Sequence, residues 1–416
     1  MNYYSCKMTL RKIHIFCLAV LCMLIPIYQI GFLSFTIVAL FILTLIQLSK
    51  NRKVEWWNII MSGAGIFLFF LISMLWTEND LVGWKSIETK LSLILIPLML
   101  GLSPPINKRQ FLFISWAIVS SVFISSLMLL FLAYLKYLNS ADMNEFTYVK
   151  LSAHFHPSYI GMYYTAGMCF IKFYLEKETK SKRLKFFLRF VTVLLVIMVA
   201  LLSSKAAILS CFTLLILALV RNFTKNKNGR STPFVAAVTA LLIFSALFNP
   251  MSKSRINSAI TKSTVLNPDL ENDKILATKR SSTQSRVLIW GLALEMILNN
   301  PSGEGVGDSK ECLMSIYERE EEYYMLSKRF NVHNQFLETA ISAGWISLIF
   351  IIIMFAFLFI KALRSRDILM FSVMLIITLN LLTESMFERQ SGAVFISLFL
   401  GLLIFRDQGE QGSICF

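Results

Sequence analysis

Two side chains in the second half of the chain have the chemistry to handle a phosphate-bearing substrate. Arg286 lies in "SSTQSRVLIWGLALEMILNNP" (281–301), and His333 lies in "FNVHNQFLETAISAGW" (330–345). Ser281, Ser282 or Thr283 can cap a helix running to about Ile297, with Asn299, Asn300 and Pro301 ending it. Arg286 then sits near the first turn, where free backbone N–H groups and the helix dipole already favour anions. A guanidinium there suits a phosphate or pyrophosphate; an arginine snorkelling from an interfacial helix is the plainer alternative. His333 stands just before a long apolar run, with Asn331 or Asn334 placed to cap the helix that follows. Neutral imidazole is the side chain suited to accept a proton near pH 7. The plainer alternative is a histidine that only hydrogen-bonds a loop carbonyl.

Lesser candidates surround these two. Lys205 in "LLSSKAAIL" (201–209) is a cation at a tight turn between apolar segments, within reach of a lipid-linked phosphate or simply snorkelling. His156 in "HFHPSY" sits similarly before an apolar segment, and a structural role is the preferred reading. Gly305 and Gly307 of "GEGVGD" (303–308) allow close backbone approach to a ligand, although a structural turn fits them better. No strand precedes them, so they are not a dinucleotide fingerprint. The acidic run "EREEE" (318–322) reads as a solvated helix face. Seven scattered cysteines and four histidines show no metal-ligand spacing and no disulfide framework, so neither metal nor cofactor is expected.

The elements that must position these groups are hydrophobic. Of 416 residues 56% are hydrophobic, 35 are phenylalanine, and the mean hydropathy is +0.65. Apolar runs separated by short charged clusters predict an all-α polytopic membrane protein with about twelve transmembrane helices. The expected spans are 13–29, 31–48, 57–76, 84–102, 111–135, 157–175, 186–203, 206–220, 233–249, 336–360, 368–384 and 392–405. The first follows Lys7, Arg11 and Lys12 like a signal peptide but lacks a small-residue cleavage site, so it is read as a helix. The fourth is interrupted by Pro97 and carries Lys85, Glu88 and Lys90 in its first turns; otherwise the spans are nearly free of charge. One membrane domain results: helices one to nine over 1–249, a long loop with short amphipathic helices over 250–335, and helices ten to twelve with a short tail over 336–416.

Charge orients this set. Alternate connections carry the Lys/Arg clusters: the N-terminus, "SKNRK" (49–53), "NKR" (107–109), "EKETKSKRLK" (176–185), "RNFTKNKNGR" (221–230) and "KALRSR" (361–366). By the positive-inside rule they and both termini face the cytoplasm, and the long loop faces out. That loop holds eleven Lys/Arg and eleven Asp/Glu, so the net charge of +15 lies almost wholly on the inner side. Topology and anionic lipid account for it without a nucleic-acid partner.

The stretch "SRVLIWGLALEMILNNPSGEGVGD" followed by "VHNQFLETAISAGW" resembles the O-antigen ligase and Wzy-type polymerase superfamily of bacterial envelope enzymes, and most of all its Bacteroidetes-type members. The resemblance covers roughly 200–345 and implies a bacterial inner-membrane enzyme with a periplasmic active site. It implies transfer of a glycan from undecaprenyl diphosphate, without metal or nucleotide, to an envelope acceptor. Lipid A-core is the favoured acceptor; a growing polymer end or a protein hydroxyl are alternatives within the superfamily. On matching positions Arg286 would hold the pyrophosphate and His333 would lie beside the reacting centre. The family's serine-arginine pair stands here as Ser204-Lys205, which keeps charge but loses the bidentate fork. A transporter or flippase is the rival outside this class, and would place charge near the bilayer midplane.

Overall fold

In the computed structural model the chain is described over residues 2–27, 31–48, 53–153, 155–225 and 282–407. The expected ninth span, 233–249, and the first part of the long loop lie outside the described residues. The described parts of the other expected spans are mostly helical: α1 (Asn2–Leu24), α2 (Gly31–Ile46), α3 (Trp56–Trp76), α4 (Asp80–Lys90), α5 (Ser92–Leu102), α6 (Lys108–Ser140), α7 (Pro157–Phe170), α8 (Lys182–Leu202) and α9 (Lys205–Lys225). After the undescribed segment follow α10 (Ser282–Asn299), α11 (Ser309–Arg319), α12 (Tyr323–Lys328), α13 (Gln335–Arg364), α14 (Ile368–Leu381) and α15 (Gln390–Ile404). Among the described residues five helices (α3, α6, α8, α9 and α13) are long and apolar enough to cross a membrane; α2, α14 and α15 are shorter apolar helices.

The centre of the bundle is α7, every residue of which is buried, packed by α6, α8, α9 and α14. The periphery is the reverse of a water-soluble surface. Phe35, Leu75, Phe131, Phe190, Ile346 and Ile352 all point outward and exposed, as side chains facing hydrocarbon must.

The interruption expected at Pro97 falls elsewhere. Pro97 lies inside α5, while the chain steps between α4 and α5 at Leu91. A proline cannot donate to the carbonyl four residues back, here that of Leu93. Gly63 of α3, at φ 139°, comes so close to this carbonyl that a Cβ would stand 2.9 Å from the Leu93 oxygen. Gly63 sits in a π-helical turn (Ile60–Ala64), so each helix carries its irregularity where it meets the other.

Two ends of the bundle are distinct. At one, Arg11 donates to the carbonyls of Pro104 and Pro105, Lys108 pairs with Glu178 (2.7 Å), Lys361 donates to Asn58 (2.9 Å), and Arg406 pairs with Asp367. At the other, Asp308 accepts from the backbone N–H groups of Glu78 (2.7 Å) and Asn79 (3.0 Å), and Gln335 accepts from that of Phe387 (2.6 Å). Among the described residues these basic groups lie apart from the 77–79 and 300–335 segments.

The segment 282–334 builds a small core of its own. Ile289 and Met296 of α10, Leu313 and Tyr317 of α11 and Met325 of α12 are buried together with Val332 and Ile341. Each such side chain contributes roughly 1.5–3 kcal/mol on burial. The helix read at 281–297 therefore packs on its loop neighbours and on the start of α13. The acidic run is not one helix face: α11 ends at Arg319, Glu321 takes a left-handed turn (φ 54°), and Glu322 is buried.

This layer is fastened by a break in α13 at Ala343 and Gly344 (φ 82°). The break frees the carbonyls of Ile341 and Ser342, which accept from Glu304 N (2.7 Å) and Gly305 N (3.1 Å). Trp345 N donates in return to Pro301 O (3.1 Å). A Cβ on Gly344 would lie 2.6 Å from the Ser302 carbonyl oxygen, so glycine is required by both φ and space.

Candidate active site

The end of the bundle that carries the α10–α12 layer also carries a convergence of charged groups on one carboxylate. Glu384 stands in the connection between α14 and α15, three residues beyond the last turn of α14, with its side chain 7% exposed. Arg286 Nη2 donates to its Oε1 (2.8 Å), and Ser158 Oγ donates to the same oxygen (3.3 Å). His333 Nδ1 lies 3.1 Å from Oε2. Residues 98 and 51 positions from Glu384, and another 226 away, are thus joined in one network.

Burial alone would favour the neutral form of Glu384. The hydrogen bond from His333 and the charges of His156, His333 and Arg286 outweigh it and hold the carboxyl below the usual carboxylate range. An ionised carboxylate only accepts, so His333 Nδ1 must carry the hydrogen it shares with Oε2. In the neutral imidazole the lone pair is then on Nε2.

The backbone holds His333 as firmly as the carboxylate does. Its φ is 51°, the left-handed region that non-glycine residues seldom occupy. Asn331 Oδ1 accepts from His333 N (3.2 Å), and Trp290 Nε1 of α10 donates to Val332 O (3.0 Å). Asn334 Oδ1 accepts from Phe336 N (3.0 Å) and Leu337 N (3.3 Å), so of the two candidate caps it is Asn334 that caps this helix. Phe330 meets the imidazole edge-to-face at 5.8 Å. A strained residue fixed from four directions is the pattern found where a side chain must be aimed.

Arg286 is 22% exposed and has one nitrogen on Glu384, which leaves further N–H groups of its five for a ligand. Lys205 comes to the same helix start: its Nζ donates to Thr283 Oγ1 (2.8 Å), three residues before Arg286. Ser204 Oγ, beside it, lies 3.1 Å from Ser158 Oγ. The Ser204-Lys205 pair therefore adjoins both the carboxylate network and the Arg286 helix.

His156 is an N-cap, with Nδ1 accepting from Ser158 N (3.4 Å). Burial pushes its imidazole below the usual histidine range; Glu384 opposes, while Arg389, His333 and Arg286 add to the push. It lies among the site's charges but its ring nitrogen is engaged locally. Gly305 and Gly307 are placed by contacts with Thr77, Asn79 and Gly83, the docking of one loop on another.

Sequence reasoning missed Glu384 and the pairing of the charges behind it. Lys90 is fully buried, with Nζ 2.8 Å from Glu388 Oε1, and buried Glu338 accepts from Ser385 Oγ (3.1 Å). Beyond Lys90, already noted in the fourth expected span, Glu338 and Glu384 are two buried acids in expected spans otherwise nearly free of charge. A lone acid ending an otherwise neutral apolar run, as in "LLTESMFERQ", was the available signal. Among the described residues no three of His, Cys, Asp and Glu converge as a metal-ligand set.

A search among curated proteins finds no match to this chain. Residues 190–352, from α8 through the Arg286 helix and His333 into α13, match the family model described as O-antigen ligase; Glu384 falls beyond the matched residues. This match over part of the chain, together with helices apolar enough to span a membrane, supports a membrane protein of the O-antigen ligase/Wzy-type family, a family of ligase- or polymerase-type glycosyltransferases.

Proposed function

We propose that the protein is a metal-independent inverting glycosyltransferase. It moves a glycan from undecaprenyl diphosphate to a hydroxyl of an envelope acceptor, at the periplasmic face of the bacterial inner membrane. Lipid A-core is the favoured acceptor because the matched family is described as O-antigen ligase. The observation that carries the reading is the His333–Glu384–Arg286 network.

The residues divide the work as follows. His333 Nε2 takes the proton of the acceptor hydroxyl as its oxygen attacks the anomeric carbon. Glu384, on Nδ1, fixes the tautomer and stabilises the imidazolium that forms, the role a carboxylate plays behind a catalytic histidine elsewhere. The bond from the anomeric carbon to the diphosphate oxygen breaks on the opposite face, so configuration inverts. Arg286 takes the charge that develops on the departing diphosphate, with Lys205 beside it. Undecaprenyl diphosphate is a good leaving group once its charge is met, so no strong general acid is required.

Deleting the gene and resolving lipopolysaccharide and capsule on gels tests the assignment. A ligase predicts core lipid without attached polymer while lipid-linked polymer accumulates. Unchanged lipopolysaccharide and capsule in the deletion strain would refute it.

A further inference from the structure

Arg286 is a guarded cation: its charge is already met by Glu384 at 2.8 Å. A diphosphate diester brings two negative charges to this surface, and a neutral Arg286–Glu384 pair leaves Lys205 to receive them. The same charge group contains another guanidinium that the sequence did not single out. Arg389 is exposed, its Cζ lies 5.8 Å from the centre of the Tyr159 ring, and among the described residues it has no ion-pair partner. Glu388, its neighbour, is engaged by Lys90 and does not compensate it. Arg389, Glu384, His333 and Arg286 are all near enough to His156 to act on it electrostatically.

Its mounting is suited to an anion. Tyr159 follows His156 in the chain by three residues, and its hydroxyl donates to Ser385 O (3.5 Å), beside Glu384. An arginine stacked on a ring keeps its fork pre-organised and its edge N–H groups available. Arg389 is also the N-cap of the fifteen-residue α15, and makes no side-chain hydrogen bond as a cap. Its carbonyl takes the N–H groups of Gly392 and Ala393, while those of Gln390 and Ser391 belong to the first turn, which lacks intrahelical partners. Guanidinium and helix dipole therefore present positive charge together.

We propose that Arg389 is a further binding residue for the donor's diphosphate, taking the phosphate that the Arg286–Glu384 pair does not neutralise. The assignment rests on the glycosyl-transfer reading above and adds to it a positive charge beyond those of Arg286 and Lys205.

Direct binding tests it. Polyprenyl diphosphate and polyprenyl monophosphate are titrated into the full-length protein in neutral-lipid nanodiscs, for wild type, Arg389→Gln and Arg389→Lys, with unfolding temperature measured in parallel. Arg389→Gln should weaken diphosphate binding by about 10–100-fold, the value of a charge-assisted contact, and affect the monophosphate several-fold less. Arg389→Lys should recover part of the loss. If the glutamine variant is unstable, the lysine variant is read instead, with about a 3–10-fold loss expected. Wild-type binding that a stable Arg389→Gln protein retains in full overturns this assignment alone. Equal losses for diphosphate and monophosphate would also overturn it, since the role would then be general attraction. A wild-type protein that binds neither lipid overturns the glycosyl-transfer reading and this assignment with it.

Discussion

Changing Glu384 to glutamine isolates charge from shape at the centre of the network. The carboxylate serves three donors with two oxygens: Arg286 and Ser158 on Oε1, His333 on Oε2. Glutamine has one accepting oxygen, so one side of the network meets an NH2 group. Facing Arg286 with it would set donor against donor, so the amide oxygen should stay with Arg286 and the NH2 should turn to His333. The imidazole would then have to accept at Nδ1 and carry its hydrogen on Nε2, the atom assigned to receive the proton. Loss of the correct tautomer costs roughly 10⁴ in turnover in serine-protease triads. A positioned base contributes about 10²–10⁴ in general. We expect Glu384→Gln to lose about 10²–10⁴-fold in turnover with lipid-linked donor, and about 2–3 kcal/mol of stability from the lost charged hydrogen bond.

The acid behaviour follows with a definite sign. The Glu384 carboxyl is lowered in the folded protein, so its contribution is complete above the unfolded carboxyl pKa of about 4.3 and is lost as pH falls through the folded value. The difference in unfolding temperature between wild type and Glu384→Gln should be constant from about pH 7 to pH 5 and shrink below about pH 4. The assays are radiolabelled glycan transfer by purified protein and thermal unfolding across pH. A stable Glu384→Gln protein with wild-type turnover would refute the role of this carboxylate.

Three further outcomes are expected. Arg286→Lys keeps the charge but not the fork, and should weaken donor use while retaining some turnover; Arg286→Ala should be nearly inactive and less stable, because buried Glu384 loses its guanidinium partner. Gly344→Ala should lower stability by about 1–3 kcal/mol, read by thermal unfolding, because a Cβ meets the Ser302 carbonyl at a left-handed φ. Single cysteines labelled in intact cells by a membrane-impermeant reagent should react at 320 and remain protected at 180; labelling at 180 alone would reverse the proposed orientation.

Much of the architecture was legible because apolar length and charge alternation are local properties. Arg286 and His333 were legible for a related reason: each is a conspicuous side chain at a helix boundary, and the boundary residues Ser282, Asn300 and Asn334 announce themselves. Of the two caps read for that helix, Asn331 and Asn334, it is Asn334 that caps it. Glu384 was hidden because its meaning comes only from its partners, which arrive from α7, α10 and the turn before α13. Lys90 was noted as a charge in a doubtful segment, yet only the fold supplies Glu388, which makes its burial tolerable. Pro97 was visible, but the compensating Gly63 turn thirty-four residues earlier was not. The 303–308 glycines were read for the right reason, conformational freedom, while their true neighbours, the α13 break and Thr77, are tertiary.

The central claim is that His333, held by Glu384, is the base for glycan transfer from a lipid diphosphate. It is tested most directly by single-turnover transfer with purified wild-type and His333→Ala protein, matched undecaprenyl-diphosphate-linked glycan and lipid A-core acceptor, in excess chelator. The account predicts transfer by wild type that chelator does not abolish. It predicts a folded His333→Ala protein that still binds donor and is slower by about 10²–10⁴-fold. Wild-type turnover by a folded His333→Ala protein, or activity lost to chelator and restored by a divalent ion, would contradict it.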